Sequence, residues 1–187
     1  MFCFNGKFYE KEDLKKIEVS PFTTDFEFGK SVFETLRTYN GKEIFEMEAH
    51  LQRLKNSAKI LNIELSEAKL SEIKNCLQAC CHQSHTQNAQ TDWRIKIFYT
   101  AHFYWIRGTV LPIISDRFFT QGVEVCEAVF QRNFAEAKYT NPAYQYFRLR
   151  QSQECFETIF IDENGQVREG NISNIFIIRD TQIITPD

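Results

Sequence analysis

Apolar positions along the chain recur in two rhythms, one of period two and one of period three to four. Phe2-Cys3-Phe4 reads as a short strand closed by the turn pair Asn5-Gly6, and Ile17-Glu18-Val19 as another strand after a charged loop. From Ser31 to Tyr39, Val32, Glu34 and Leu36 alternate with Phe33, Thr35 and Arg37, and Asn40-Gly41 turns the chain back. The period then changes: Leu51, Leu54, Ala58 and Leu61 mark a helix over Glu48 to Asn62. A second helix follows, with Ser66 as its N-cap and Leu70, Ile73, Leu77 and Cys80 as its apolar stripe. The polar stretch from Cys81 to Thr91 has no period and is predicted to be a loop. Trp93 to Thr100 alternates again, with Ile95, Ile97 and Tyr99 opposite Arg94, Lys96 and Phe98; His102 to Ile106 is extended and ends at Arg107-Gly108.

Beyond a crossover around Leu111 to Thr120, the strand Gly122 to Phe130 opens a second unit. Asn141-Pro142 starts a helix, Asn capping free amides and Pro taking the first helical position, and the helix is expected to run to about Cys155. Strands follow at Thr158 to Asp162 and Gln166 to Glu169 around the turn Asn164-Gly165, and Asn174 to Arg179 with Gln182 to Thr185 complete a meander. The pattern predicts an α/β (α+β) protein of two units: an N-terminal one over 1–118, and the first part of a second over 119–187, where the chain stops at Thr185-Pro186-Asp187 within what reads as a continuing sheet.

Composition narrows the class. The 187 residues suit one domain or two small ones, and 43% hydrophobic with 25% charged residues is ordinary for a folded protein. Lys+Arg 22 against Asp+Glu 25 gives a net charge of -3, which offers no general attraction for nucleic acid or anionic lipid. No apolar run approaches the roughly 20 residues of a membrane span, and the N-terminus MFCFNGKFYEKEDLKK lacks the apolar core of a signal peptide. A soluble, cytoplasmic protein is the expectation. Its six cysteines are then expected to be free thiols. Cys76, Cys80 and Cys81 with His82 and His85 invite a zinc reading, but the cysteines share one helix, with Cys81 expected to turn away. No second ligand pair lies at zinc spacing, so no metal is expected.

Single residues say little. There is no glycine-rich phosphate loop, no serine nucleophile elbow and no HExxH. Taken alone, His50 is a helix-edge histidine, Lys138 a solvated lysine, Arg53 a helix-face residue paired with Glu46 or Glu48, and Glu169 a hairpin-edge residue.

In combination they carry more. The run Phe28-Gly29-Lys30-Ser31-Val32-Phe33-Glu34-Thr35-Leu36-Arg37 leads into Glu48-Ala49-His50-Leu51-Gln52-Arg53-Leu54, followed by Ser57-Ala58. Farther on stand Lys138-Tyr139-Thr140-Asn141, then Asp162-Glu163-Asn164-Gly165-Gln166-Val167-Arg168-Glu169-Gly170 and Ser173-Asn174-Ile175-Phe176. In this order the segments resemble the class IV (fold-type IV) aminotransferases, which use pyridoxal phosphate and include branched-chain aminotransferases, D-amino-acid aminotransferases and aminodeoxychorismate lyases.

The resemblance implies a two-domain fold like that of D-amino-acid aminotransferase, pyridoxal 5'-phosphate as cofactor and a homodimer. It implies that Lys138 bonds the cofactor aldehyde and then moves the substrate Cα proton, which requires a lowered amine pKa. Glu169 would accept from the protonated pyridine nitrogen, and Arg53 would clamp the phosphate with a planar fork that lysine lacks. Phe33 in Gly29-x-Ser31-Val32-Phe33-Glu34 is most similar to the branched-chain subgroup, where it walls an apolar pocket. Arg94 resembles that subgroup's substrate-carboxylate ligand; its plainer reading is an exposed strand residue beside Asp92. Tyr139 or Tyr144 would stand in for a family tyrosine that contacts the ring hydroxyl. The expected substrates are a hydrophobic, branched-chain-like amino acid and 2-oxoglutarate. Two alternatives stay open: an aminodeoxychorismate lyase, although Tyr99-Thr100-Ala101-His102-Phe103-Tyr104 lacks the lyases' glycine- and arginine-rich loop, and a truncated, non-catalytic remnant of the fold.

Overall fold

Alternation in the first hundred residues is realised as one six-stranded sheet. The computed structural model describes residues 1–40, 43–87, 91–144, 146–147 and 155–186. Its first strands are β1 (Phe2–Phe4), β2 (Lys7–Tyr9), β3 (Val32–Tyr39), β4 (Glu43–Ile44), β5 (Trp93–Tyr99) and β6 (Tyr104–Val110), ordered β2-β1-β6-β5-β3-β4. All five pairings are antiparallel. Asn5 and Gly6, at φ 44 and 82, make the first hairpin turn. Val32, Glu34, Leu36 and Thr38 point into the core as the period requires, while Phe33, Thr35 and Arg37 take the other face.

Two helices cover the inner face. α1 (Thr24–Phe28) is short; α2 (Met47–Ile60) buries Leu51, Leu54, Ser57 and Ala58, and α3 (Glu67–Gln87) supplies Ile73, Cys76, Leu77, Cys80 and Cys81. With Ile95, Ile97 and Ile106 they form one apolar core. On the opposite face Phe98 stacks on Trp105 at 5.1 Å and 6°, with Phe2 and Phe103 packed beside them.

Several expectations are corrected. Lys11–Lys16 forms a 3-10 helix, and Ile17 closes it by donating its N–H to the Leu14 carbonyl, so Ile17-Glu18-Val19 is irregular backbone, not a strand. The loop expected from Cys81 is helical to Gln87, because Cys80 and Cys81 are both buried and extend the anchored stripe; Cys81 does not turn away. Residues 88–90, the rest of that stretch, and the side chain of His85 lie outside the described residues. β6 runs on to Val110, past Arg107-Gly108, because its ladder with β5 continues to Trp93.

The chain divides into two units, Met1–Pro112 with Phe134–Thr140, and Ile113–Asn133 with Asn141–Asp187. This differs from a single cut after residue 118, because Phe134–Thr140 is bonded into the first unit through the Val32–Tyr139 bridge. The second unit contains α4 (Arg117–Gln121) and a three-stranded sheet. In that sheet β7 (Val125–Val129) runs parallel to β8 (Glu157–Ile161), and β9 (Val167–Gly170) returns antiparallel. Asn141 caps a helix as expected: its Oδ1 accepts the Ala143 N–H at 2.9 Å. Residues 142–144 and 146–147 are helical; the remainder of the expected helix, 145 and 148–154, lies outside the described residues. Among the described residues β10 (Ile177–Arg179) and β11 (Gln182–Ile184) pair only with each other, so the expected meander is a separate hairpin whose strand residues are all exposed. Cys126 and Cys155 are disulfide-bonded, contrary to the free-thiol expectation; parallel pairing of β7 with β8 brings their Cα atoms to 5.8 Å. Among the described residues no helix is long and apolar enough to cross a membrane.

Candidate active site

Lys138 is held by its backbone on two sides. Its N–H donates to Ser57 Oγ at 2.9 Å, and its carbonyl accepts the Phe33 N–H at 3.0 Å. Thr140 extends the contact by donating to the Ser31 carbonyl at 3.1 Å. Ser57 is fully buried and lies one helical turn after Arg53, so one side of α2 carries both. Lys138 is half-buried, not the solvated residue its type suggests. Its Nζ lies 5.5 Å from the centroid of the Phe33 ring, while the Lys96 Nζ lies 4.8 Å from the same ring.

Arg53 does not pair with Glu46 or Glu48. Glu46 is the left-handed residue before α2, and Glu48 is bonded to Lys74. Arg53 instead donates to Glu34, Nε to Oε1 at 2.6 Å and Nη2 to Oε2 at 2.7 Å. His50 Nδ1 also reaches Glu34 Oε2 at 2.9 Å. The Glu34 hydrogen bonds raise the Arg53 guanidinium above its ordinary pKa against the opposing effect of burial.

Arg94 shares the Phe33 face of the sheet but stands opposite Arg37, while Phe98 stands opposite Phe33. Four residues of strand separate Arg94 from that row, about 13 Å along the sheet at strand rise. Asp92 pairs with Arg37 at 2.9 Å. The β5 cation beside Phe33 is therefore Lys96, not Arg94.

In the second unit Glu169 lies on β9 opposite Phe160. Its Oε1 accepts the Tyr144 hydroxyl at 2.6 Å and lies 3.6 Å from Arg132 Nη2. Phe130, Phe147 and Phe160 pack around the Tyr144 ring and its neighbours, with centroids 5.0 to 5.6 Å apart. Tyr144 thus directs its hydroxyl to the carboxylate expected to face the pyridine nitrogen. Tyr139 packs against Phe134 in the first unit.

The segments flanking Glu169 are held by two acids. Asp162 Oδ1 accepts the Asn164 and Gln166 N–H groups at 2.9 Å each, and Oδ2 takes the Arg168 fork. The Gln166 bond leads in holding the Asp162 carboxyl below its usual range. Glu157 accepts from the Ile172 and Ser173 amides and the Ser173 hydroxyl at 2.7 to 2.9 Å. A Cβ at Gly170 would fall 2.5 Å from that carboxylate, so any larger residue after Glu169 would have to displace it. A shallow cleft of about 260 Å³, lined in part by Arg117, Phe118, Glu124 and Phe156, contains none of these residues.

Sequence reading missed Ser57 as the partner of Lys138, Glu34 as the partner of Arg53, Lys96, and Arg132 beside Glu169. Two signals were present: a glutamate in an inward register of an alternating strand, and a serine four positions after Arg53 on the buried stripe.

The sequence profile described as amino-transferase class IV matches residues 31–103 and 127–187, so the chain belongs to the class IV aminotransferase family. It is 28% identical to a branched-chain-amino-acid aminotransferase of Pseudomonas aeruginosa, the match covering 88% of this chain and 60% of that protein. It is also 28% identical to an aminodeoxychorismate lyase of Bacillus subtilis, over 100% of this chain and 67% of that one. A solved putative branched-chain aminotransferase of Thermotoga maritima superposes with a TM-score of 0.77 at 26% identity, covering 99% of this chain and 65% of that one. The chain spans about three fifths to two thirds of these relatives' lengths. The mixed α/β fold is that of the class IV aminotransferases.

Proposed function

We propose that this chain binds pyridoxal 5'-phosphate and transfers an amino group between a hydrophobic, branched-chain-like amino acid and 2-oxoglutarate. The observation that carries the reading is the backbone clamp on Lys138. A lysine whose backbone is pinned by Ser57 and Phe33, with Arg53 one turn from Ser57 on α2, supports an amine and a phosphate ligand held together in the first unit. The donor set fits the cofactor: an amine for the aldehyde, a guanidinium for the phosphate, a carboxylate for a pyridine N–H. When bound, the cofactor supplies an aldehyde that condenses with amines and a ring that accepts the electron pair left at the substrate Cα.

The chain's residues do the rest. Lys138 Nζ would hold the cofactor aldehyde and would be the base that takes the substrate Cα proton and returns one during transfer. Arg53 orients the phosphate. Glu169, steadied by Tyr144 and Arg132, keeps the pyridine nitrogen protonated. Phe33 walls the side-chain pocket and Arg94 binds the substrate carboxylate. The reading includes a homodimer in the cytoplasm, the first of which sedimentation of the complete protein measures.

The complete protein, given leucine and 2-oxoglutarate, is expected to form glutamate. Formation of 4-aminobenzoate from aminodeoxychorismate, without glutamate formation, would favour the lyase, which the match to the Bacillus subtilis enzyme keeps as a second reading. Neither product would favour a non-catalytic remnant.

A further inference from the structure

Glu34 occupies a position that β3's alternation reserves for an apolar side chain. It is fully buried between Val32 and Leu36, where an uncompensated carboxylate costs several kcal/mol. Among the described residues its compensation comes from one side of α2: Arg53 through Nε and Nη2, and His50 through Nδ1. His50 Nδ1 also lies 3.3 Å from Arg53 Nη2, so the three side chains close one cluster around the carboxylate. A well-packed apolar residue would serve the core at least as well as this ion pair. What the pair adds is orientation.

The geometry of the fork says which orientation. Arg53 has five N–H bonds, and Glu34 takes one from Nε and one from Nη2. The Nη1 edge is turned from the carboxylate, and the Arg53 side chain is 48% exposed while that of Glu34 is 0% exposed. We propose that Glu34 is a positioning residue for phosphate recognition: by gripping the inner edge of the Arg53 guanidinium it presents the outer edge, as a planar two-pronged donor, to the cofactor phosphate. This rests on the reading of Arg53 as the phosphate ligand. Glu34 touches neither cofactor nor substrate and acts only through Arg53.

Charge and positioning make opposite forecasts for Glu34→Gln. Removing a negative charge near an anion site strengthens attraction if charge alone matters; loosening the guanidinium weakens a directional contact. The test is titration of the complete protein with pyridoxal phosphate and, separately, with pyridoxal, which lacks the phosphate, followed by absorbance and borohydride trapping. Glu34→Gln is expected to weaken pyridoxal phosphate binding about tenfold, the scale of one oriented charge-assisted contact, and to leave pyridoxal binding within about twofold. Arg53→Lys, which leaves Glu34 unsubstituted, keeps the charge without the fork and is expected to lose about as much as Arg53→Ala. Unchanged or tighter phosphate-dependent binding in Glu34→Gln, or full retention in Arg53→Lys, overturns the proposal. If Arg53→Ala itself leaves pyridoxal phosphate binding unchanged, the reading of Arg53 fails and the proposal with it. If Glu34→Gln does not fold, the Arg53→Lys comparison decides.

Discussion

The backbone amide of Lys138 donates to the hydroxyl of Ser57, 2.9 Å away and eighty-one positions earlier in the chain. Ser57 is fully buried. Removing its hydroxyl leaves a half-buried N–H without its acceptor, so Ser57→Ala is expected to cost about 1–2 kcal/mol, read from denaturant midpoints. Ser57→Thr keeps the hydroxyl and is expected to recover part of that. Ser57→Ala with wild-type stability would show that the clamp contributes nothing.

Glu169 is expected to act on the ring and not on retention of the cofactor. Glu169→Gln in the complete enzyme should retain covalent labelling of Lys138 while slowing Cα proton transfer at least about tenfold, measured as exchange of the substrate Cα hydrogen. Wild-type exchange would contradict the assigned role.

Arg94 and Lys96 are the two candidates for the substrate carboxylate. Arg94 carries the family resemblance, and Lys96 lies beside Phe33. If Arg94 binds the carboxylate, Arg94→Ala raises KM for the amino acid about tenfold with little change in kcat, and Lys96→Ala does not. The reverse pattern would move that role to Lys96.

Buried thiols set an alkaline limit. Burial leads in pushing the Cys80 thiol up to about 12, with Cys81 and Cys76 adding to it. A raised folded-state pKa means the folded chain holds this proton more tightly than the unfolded one. Its contribution is complete below the unfolded value, about 8.5, and is lost as pH rises from there toward 12. Urea midpoints are therefore expected to fall across this window, and Cys80→Ala to flatten that fall. In the folded protein Cys80 should resist thiol reagents until unfolding.

Legibility in the sequence followed periodicity. Val32, Leu36, Leu51, Leu54 and Ile73 announced their faces because burial of apolar side chains dominates local pattern. Glu34 could not be placed that way: its period put it inside and its chemistry outside, and only the third dimension supplies Arg53 and His50. The helix beyond Cys81 was hidden for the opposite reason, since polar residues carry no period although an anchored helix can continue through them. Lys138 and Glu169 stand out in the sequence as candidates through family resemblance alone. Neither the Ser57 hydroxyl nor the Tyr144 hydroxyl advertises its partner, because each bond joins residues distant in the chain. The pairing of Cys126 with Cys155 depended on β7 and β8 being parallel neighbours, which spacing cannot reveal.

The most direct measurement is covalent. The complete protein is incubated with pyridoxal phosphate, reduced with borohydride, digested and mapped by mass. The expected result is one stoichiometric phosphopyridoxyl group on Lys138, abolished by Lys138→Ala. Labelling spread over surface lysines, or a label that survives Lys138→Ala unchanged, would contradict the assignment of Lys138 as the cofactor's anchor.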